Sequence, residues 1–199
     1  MLLSLSHKFL FIANVKTASS AIEDALKKYA EIAICETRLG KHDTLSVVSK
    51  NFSWVRKYVR YEDFFVFGVI RDPVDWLLSL YNFHSKPDFD GQRSSTKEIT
   101  FGEFLREGFV SRWQMNPQHL RFVDQHGRFQ VSHLIDFSTL EIEFPRICHR
   151  VGIGERELSR INVSPTVLSR DDLVQAERDF INENYRADYD LINRCTGVL

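Results

Sequence analysis

The chain has 199 residues, a formal net charge of −1, and 43% hydrophobic residues. This length suits one domain, residues 1–199, and the composition excludes wholesale disorder. A charge near zero predicts no extended basic face and no nucleic-acid partner, so any anion site must be local. The cysteines, Cys35, Cys148 and Cys195, show neither a disulfide framework nor zinc-ligand spacing, so we expect buried, reduced thiols.

The amino-terminal segment predicts neither a secretion signal nor a membrane anchor. Residues 1–8 lack a basic leader before a longer apolar stretch, and the apolar run from Phe9 to Val15 is too short to span a bilayer. We therefore expect a cytoplasmic chain, or at least a soluble domain, with no membrane partner.

Short apolar runs alternate with helical patterns along the first half of the chain. Runs at 9–13, 32–35 and 64–70 predict buried strands, and amphipathic helical patterns follow the first and the last of them. This alternation predicts parallel strands joined by right-handed crossovers. The predicted fold class is α/β.

Helix starts are predicted where Ser or Thr precedes an acidic residue by three positions, because the two side chains can cap the first turn reciprocally. Asp72 followed by Pro73 marks another start, since proline suits the first helical position. The four pairs are Ser20 with Glu23, Thr100 with Glu103, Ser138 with Glu141, and Ser169 with Asp172.

Two longer segments have different patterns. The polar, aperiodic stretch from His84 to Ile99 predicts a long surface loop, either disordered or acting as a lid. The last third, from Ser138 to Arg194, predicts two or three helices.

The junction between the first strand and the first helix, residues 14–20, contains one lysine and three hydroxyl side chains. In parallel α/β sheets, ligands bind beyond the carboxyl ends of the strands. Lys16 and Thr17 precede a helix whose unpaired N–H groups favour an anion, and Ser19 and Ser20 add hydroxyl donors. The junction predicts a phosphate or sulfate site without the glycines of a Walker A loop. The alternative is a plain helix cap at Ser20 beside a solvated lysine.

The strand at 64–70 ends in Arg71, whose planar guanidinium suits bidentate phosphate contact. Ser79 lies about two helical turns after the predicted cap Asp72, on the same helix face. The alternative is that Arg71 pairs with Asp72 or Asp75 while Ser79 is a small packing residue. Two anion sites at adjacent strand ends suit a ligand phosphorylated at two positions.

Together, the two junctions resemble those of sulfotransferases that use 3′-phosphoadenosine 5′-phosphosulfate (PAPS). The segment VKTASSA, residues 15–21, is similar to the first family motif but departs from it at positions 15, 19 and 21. Arg71 and Ser79 keep the spacing of the second motif. The phrase RDPVDWLLSLYNF looks like the carbohydrate-sulfotransferase branch, as do GKHDT at 40–44 and NYRADY at 184–189.

This resemblance implies a P-loop-NTPase-like fold with a central parallel sheet flanked by helices. It also implies an enzyme that moves a sulfuryl group from PAPS to a hydroxyl of a carbohydrate or similar acceptor and releases 3′-phosphoadenosine 5′-phosphate (PAP). Lys16 is then the catalytic cation that offsets charge on the leaving phosphate. The expected donor-binding residues are Lys16, Thr17, Ala18, Ser19, Ser20, Ala21, Arg71 and Ser79.

The attacking hydroxyl needs a base, for which two residues are candidates. His42 is the first choice because imidazole titrates near neutral pH and the residue follows the second predicted strand; Glu36, at the end of that strand, is the rival. An ordinary surface histidine beside Lys41 and Asp43 is the alternative for His42. No histidine pair has metal-ligand spacing, so we predict no metal.

Two further segments are candidate contacts. Trp113 and residues 114–119 form a candidate acceptor wall, and Arg160, Asn162 and Ser164 form either a donor contact or an ordinary connection. The alternative functions are a nucleotide-dependent phosphotransferase, which the missing glycines oppose, and a donor-binding pseudoenzyme, which the altered first motif permits.

Overall fold

The computed structural model describes residues 1–57, 60, 63–159 and 166–195. The predicted polar loop of Arg160, Asn162 and Ser164 lies outside this range. The described strands are β1 Leu2–Ser4, β2 Phe9–Ile12, β3 Ile32–Ala33, β4 Phe65–Ile70 and β5 His133–Asp136. The α-helices are α1 Ser19–Leu26, α2 Leu45–Asn51, α3 Pro73–His84, α4 Phe101–Ser111, α5 Leu140–Arg150, α6 Gln175–Asn184 and α7 Arg186–Cys195.

The strands form one mixed sheet in the order β3-β1-β2-β4-β5. β2, β4 and β5 are parallel, with Leu10 opposite Val66 and Gly68 opposite Leu134. β1 runs antiparallel to both of its neighbours. The α/β class and the parallel core are therefore confirmed, together with helices on both sides of the sheet.

The unpredicted strand β1 changes the order of the sheet. β1 precedes β2 in the chain, and the two are joined by a tight turn in which Lys8 has a positive φ of 52°. It lies between β2 and β3, so the predicted strand at 32–35 joins the sheet through β1 and pairs over only two residues. Three residues of β1 are too few to show a hydrophobic period, which is why the sequence pattern missed it.

The long apolar runs of β2 and β4 are explained by burial on both faces of the sheet. Because side chains alternate along a strand, successive residues enter different cores. Phe9, Phe11, Phe67 and Val69 pack with α1 and α5, whereas Leu10, Ile12, Val66 and Ile70 pack with α2 on the opposite face. A Cβ on Gly68 would lie 2.4 Å from a ring carbon of Phe122, so this ring requires glycine in β4.

A third cluster packs the outer helices against α3 and ties them to the first junction. Trp76 and Tyr185 are fully buried in it, together with side chains of α4 and α6. The indole Nε1–H of Trp76 donates to the carbonyl oxygen of Val15 at 2.8 Å. This bond fixes α3 against the loop that follows β2.

Three of the predicted caps form. Asp72 Oδ1 accepts the N–H groups of Val74 at 2.9 Å and Asp75 at 3.2 Å, so α3 begins as expected. The reciprocal cap of Thr100 begins α4. The reciprocal cap of Ser169 begins a short 3₁₀ turn rather than α6.

The other two predicted caps are wrong. α1 begins after Ala18, whose backbone is left-handed with φ of 58°, and no side chain caps it. Ser20 is inside this helix, and Glu23 is buried. α5 begins at Leu140 without a side-chain cap, so Ser138 has no capping role there.

The segment after α3 contains no described strand or α-helix, as predicted, but it packs against the end of α3. Thr96 is buried and its hydroxyl donates to the carbonyl of Tyr81 at 2.8 Å. The Phe89 ring lies 5.1 Å from that of Phe83. The described helix count of three after residue 138 also agrees with the prediction.

Candidate functional site

A cleft of about 1010 Å³ opens at the carboxyl ends of β2 and β4. Both predicted anion junctions line it, although they are far apart in sequence. The predicted site residues along its wall are Lys16, Ala18, Ser19, Ser20, Ala21, His42, Arg71 and Ser79.

The first junction turns sharply without glycine. Lys16 has φ of 57° and Ala18 has φ of 58°, both in the left-handed region that disfavours a side chain. The turn directs the chain into α1, whose first residues line the cleft. Backbone strain at non-glycine residues is typical of functional sites, where the surrounding structure holds it in place.

Ala18→Gly is expected to raise the free energy of unfolding by about 0.5 to 1 kcal/mol, because glycine adopts this φ without a Cβ clash. Ala21→Gly is the matched control: within α1 it should lower the free energy of unfolding by a similar amount. Urea denaturation measures both. A destabilised Ala18→Gly variant would contradict a strained Ala18.

Thr17 faces away from the cleft. It is fully buried, and its hydroxyl donates to the carbonyl of Asn14 at 3.2 Å. Its side chain is therefore part of the turn, and only its backbone can contribute to a ligand site. This orientation results from the left-handed residues on either side of it.

Lys16 is a cation held against an aromatic ring. Its Nζ lies 4.1 Å from the centroid of the Phe83 ring. Burial, together with the nearby cations Lys86 and Arg71, lowers the pKa of Lys16 to about 8. A bound anion would offset both causes, which is the expected behaviour of an anion-binding lysine.

The Arg71 side chain contacts an aromatic ring and a backbone carbonyl rather than a neighbouring carboxylate. The Cζ atom of its guanidinium lies 4.5 Å from the centroid of the Phe137 ring, and Nη1 donates to the carbonyl of Lys16 at 3.3 Å. Its Nε is buried without a hydrogen-bond partner among the described residues. Burial lowers the pKa of Arg71 below its ordinary value.

The neighbouring carboxylates are engaged elsewhere. Arg170 Nε donates to Asp75 Oδ1 at 2.6 Å, and Arg170 Nη2 contacts Asp72. The alternative, an ion pair of Arg71 with Asp72 or Asp75, is therefore not formed. A guanidinium with an unpartnered buried N–H fits a phosphate oxygen.

Buried amides hold the two junctions together. Gln118 accepts from the Arg71 backbone N–H at 3.1 Å and donates to the Arg71 carbonyl at 2.7 Å. Asn14 donates to Gln118 Oε1 at 2.8 Å, and Asp188 accepts the backbone N–H of Gln118 at 2.8 Å. Gln118 was expected in the acceptor wall instead, and its buried bridging role was not predicted, because single polar residues show no period that indicates burial.

The predicted acceptor wall is only partly realised. Of residues 113–119, Gln114 lines the cleft, whereas Gln118 is fully buried beneath it. Trp113 is 48% exposed, and its ring centroid lies 6.4 Å from that of His42.

His42 has one ring nitrogen fixed and the other available. Its Nδ1 lies 2.9 Å from the carbonyl oxygen of Ala13, so Nδ1 carries the proton and Nε2 is the acceptor. Burial, together with the nearby cations Lys41 and Arg121, lowers the pKa of His42 to about 4 despite the bond to Ala13. The imidazole is therefore neutral at physiological pH.

Glu36, the rival base, is far more exposed. Its carboxylate pairs with Arg38 Nε at 3.0 Å, with 60% of the Glu36 side chain in solvent. It is not among the residues that line the cleft. The geometry therefore favours His42 over Glu36.

His84 and Lys41 are two of the cleft residues that were not predicted as site residues. His84 is buried between Phe83 and Phe89, with ring centroids 5.4 and 4.6 Å away, and its Nδ1 has no partner within the described part of the chain. Lys41 lines the cleft beside His42. The position of Lys41 directly before the candidate base His42 is the sequence feature that could have indicated its place in the cleft.

Among the described residues, no three His, Cys, Asp or Glu side chains converge on a possible metal position, and independence of metal stays a prediction. No described helix combines the length and the apolar character that a membrane span requires.

One of three comparisons with known proteins gives a match. No curated protein and no solved structure matches the chain. The model of the Sulfotransferase family matches residues 1–191, which include all five described strands and both anion junctions. The chain therefore belongs to the sulfotransferase family and is an enzyme, a sulfotransferase.

Proposed function

We propose that the enzyme transfers a sulfuryl group from PAPS to a hydroxyl of a carbohydrate or similar acceptor. The observation that carries this proposal is the joining of Lys16 and Arg71 in one cleft, where Arg71 Nη1 donates to the Lys16 carbonyl at 3.3 Å. Two cationic positions at adjacent strand ends suit a donor with charged groups at both its 5′ and 3′ positions.

The first junction suits the 5′-phosphosulfate end. The N–H groups at the start of α1 and the hydroxyls of Ser19 and Ser20 are hydrogen-bond donors along the cleft. Lys16 adds a positive charge that becomes more favourable as negative charge develops on the leaving phosphate. Such a preorganised donor commonly contributes about 3 to 4 kcal/mol to lowering a barrier.

The second junction suits the 3′-phosphate. Arg71 offers a buried, unpartnered Nε, and Ser79 lies on the cleft-facing side of α3. This pair distinguishes PAPS from ATP, which has no 3′-phosphate. It therefore also distinguishes sulfuryl transfer from the alternative, a nucleotide-dependent phosphotransferase.

The acceptor end is proposed to lie beside His42. Its neutral Nε2 can accept the proton of the attacking hydroxyl while the Ala13 carbonyl holds Nδ1–H in place. The exposed Trp113 ring near His42 offers an apolar face to a sugar ring, which supports the carbohydrate acceptor.

Thermal-shift titration tests the donor. PAP should stabilise the protein by about 2.7 kcal/mol at a concentration of one hundred times its Kd, and ADP at the same concentration should stabilise it much less. In Arg71→Met the difference between PAP and ADP should largely disappear, because the 3′-phosphate loses its partner. Equal stabilisation of the wild type by both nucleotides, or by neither, would exclude PAPS as the donor.

We also propose a cytoplasmic location. The support is that Cys35 and Cys148 are free thiols, and Cys35 is exposed. Exposed free thiols are typical of reducing compartments. Recovery of the protein from a secreted fraction of its native cells would contradict this location.

A further inference from the structure

Lys41 lies in the cleft wall and joins the candidate base to the first junction. It directly precedes His42, and its side chain is only 10% exposed. Its Nζ lies 2.7 Å from Glu23 Oε2 and donates to Ser20 Oγ at 3.0 Å. Lys41 therefore connects Ser20, which lines the cleft, with the buried Glu23.

The bond from Lys41 determines what Ser20 can do. A hydroxyl has one proton and two lone pairs, and the Lys41 ammonium occupies one lone pair. Ser20 is inside α1, where it caps nothing, and it lines the cleft. Its O–H is thus available to the cleft, and hydrogen bonds in a chain strengthen one another.

Lys41 also neutralises a carboxylate beneath the junction. Glu23 is 3% exposed and lies on α1, within one helical turn of Ser20. A buried negative charge at this place opposes an anion in the cleft. Lys41 is the cationic side chain that contacts Glu23, and it also lines the cleft.

We propose that Lys41 is a positioning residue for the 5′ end of the donor. It acts through Ser20, whose hydroxyl it orients and polarises, and through Glu23, whose charge it offsets. This role rests on the proposed PAPS donor. It predicts an effect on 5′-phosphate binding and none on the 3′-phosphate, which lies at Arg71 and Ser79.

The test compares two nucleotides by calorimetry. PAP carries both phosphates, whereas adenosine 3′-phosphate lacks the 5′-phosphate. In Lys41→Met the Kd for PAP should rise about 10- to 100-fold, the size expected for loss of a charge-assisted contact, and the Kd for adenosine 3′-phosphate should change less than twofold. Lys41→Arg keeps the cation and should recover most of the PAP affinity.

A second variant covers the case in which Lys41→Met does not fold. Glu23→Gln combined with Lys41→Met removes the buried carboxylate that lost its partner, and Ser20 still lacks its donor. This double variant should fold and bind PAP about 2- to 10-fold more weakly than the wild type, a smaller loss than in Lys41→Met because the Glu23 charge is gone, with unchanged binding of adenosine 3′-phosphate.

Unchanged PAP binding in both variants, or equal loss of both nucleotides, would overturn the role of Lys41 and leave the donor assignment intact. A wild type that does not prefer PAP over ADP would instead overturn the donor assignment, and the inference with it. The two failures are therefore distinguishable.

Discussion

Replacement of Lys16 by methionine is expected to lower kcat for sulfuryl transfer about 10²- to 10³-fold. Methionine keeps the apolar contact with Phe83, where Lys16 Nζ lies 4.1 Å from the ring, but it removes the charge. The charge matters most when the leaving phosphate becomes negative, so the loss falls on the transition state. The measurement is transfer of labelled sulfate from PAPS to the best acceptor of a glycan panel.

Binding of PAP to the same variant should weaken by about tenfold or less, because a group acting on the transition state contributes less to ground-state affinity. A clearly active wild type whose kcat is unaffected by Lys16→Met would show that the catalytic role is wrong.

Lys16→Arg is the matched control and also tests the charge. Because burial lowers the pKa of Lys16 to about 8, kcat/KM of the wild type should fall as the pH rises through about 8 and the free enzyme loses the cation. Arginine stays protonated there, so this alkaline decrease should be absent from Lys16→Arg. The bound donor favours the charged form, so kcat should decrease at a higher pH than kcat/KM.

Replacement of His42 by glutamine is the second large effect, with an expected 10²- to 10⁴-fold loss of kcat. Glutamine can still donate to the Ala13 carbonyl but has no basic nitrogen for the acceptor proton. Because burial lowers the pKa of His42 to about 4, the imidazole stays neutral above that pH. His42 should therefore cause no acidic decrease of kcat/KM between about pH 5 and 7. PAP affinity should be unchanged.

Glu36→Gln provides the comparison between the two candidate bases. Its exposed carboxylate lies outside the cleft lining, so both kcat and PAP affinity should stay at the wild-type values. If Glu36→Gln lost activity and His42→Gln kept it, the base would be Glu36 and the cleft would have to rearrange on donor binding.

The parts of the fold that sequence patterns predicted are those with many residues in one environment. β2 and β4 are buried on both faces, so their apolar runs are continuous and visible. β1 and β3 contain three and two residues, which is too short for any period to show. Their pairing is decided by the tight turn after β1 and by contacts between distant segments.

In the candidate site, too, local patterns were predictable and contacts between distant residues were not. Arg71 and Ser79 share a helix start and a fixed spacing, so their common cleft could be predicted locally. The contacts of Gln118 and Lys41 could not be predicted, because their partners lie about 50 and 20 residues away. The inward direction of Thr17 depends on positive φ angles that a sequence without glycine does not indicate.

Arg170 resolves a conflict between folding and ligand binding at the start of α3. The helix needs an acid at Asp72, whose cap typically contributes about 1 kcal/mol, while the proposed anion site needs a cation at the adjacent Arg71. Arg170 engages both Asp72 and Asp75 from a distant part of the chain. The Arg170 guanidinium thus allows a negative helix cap and the proposed anion site to occupy neighbouring residues.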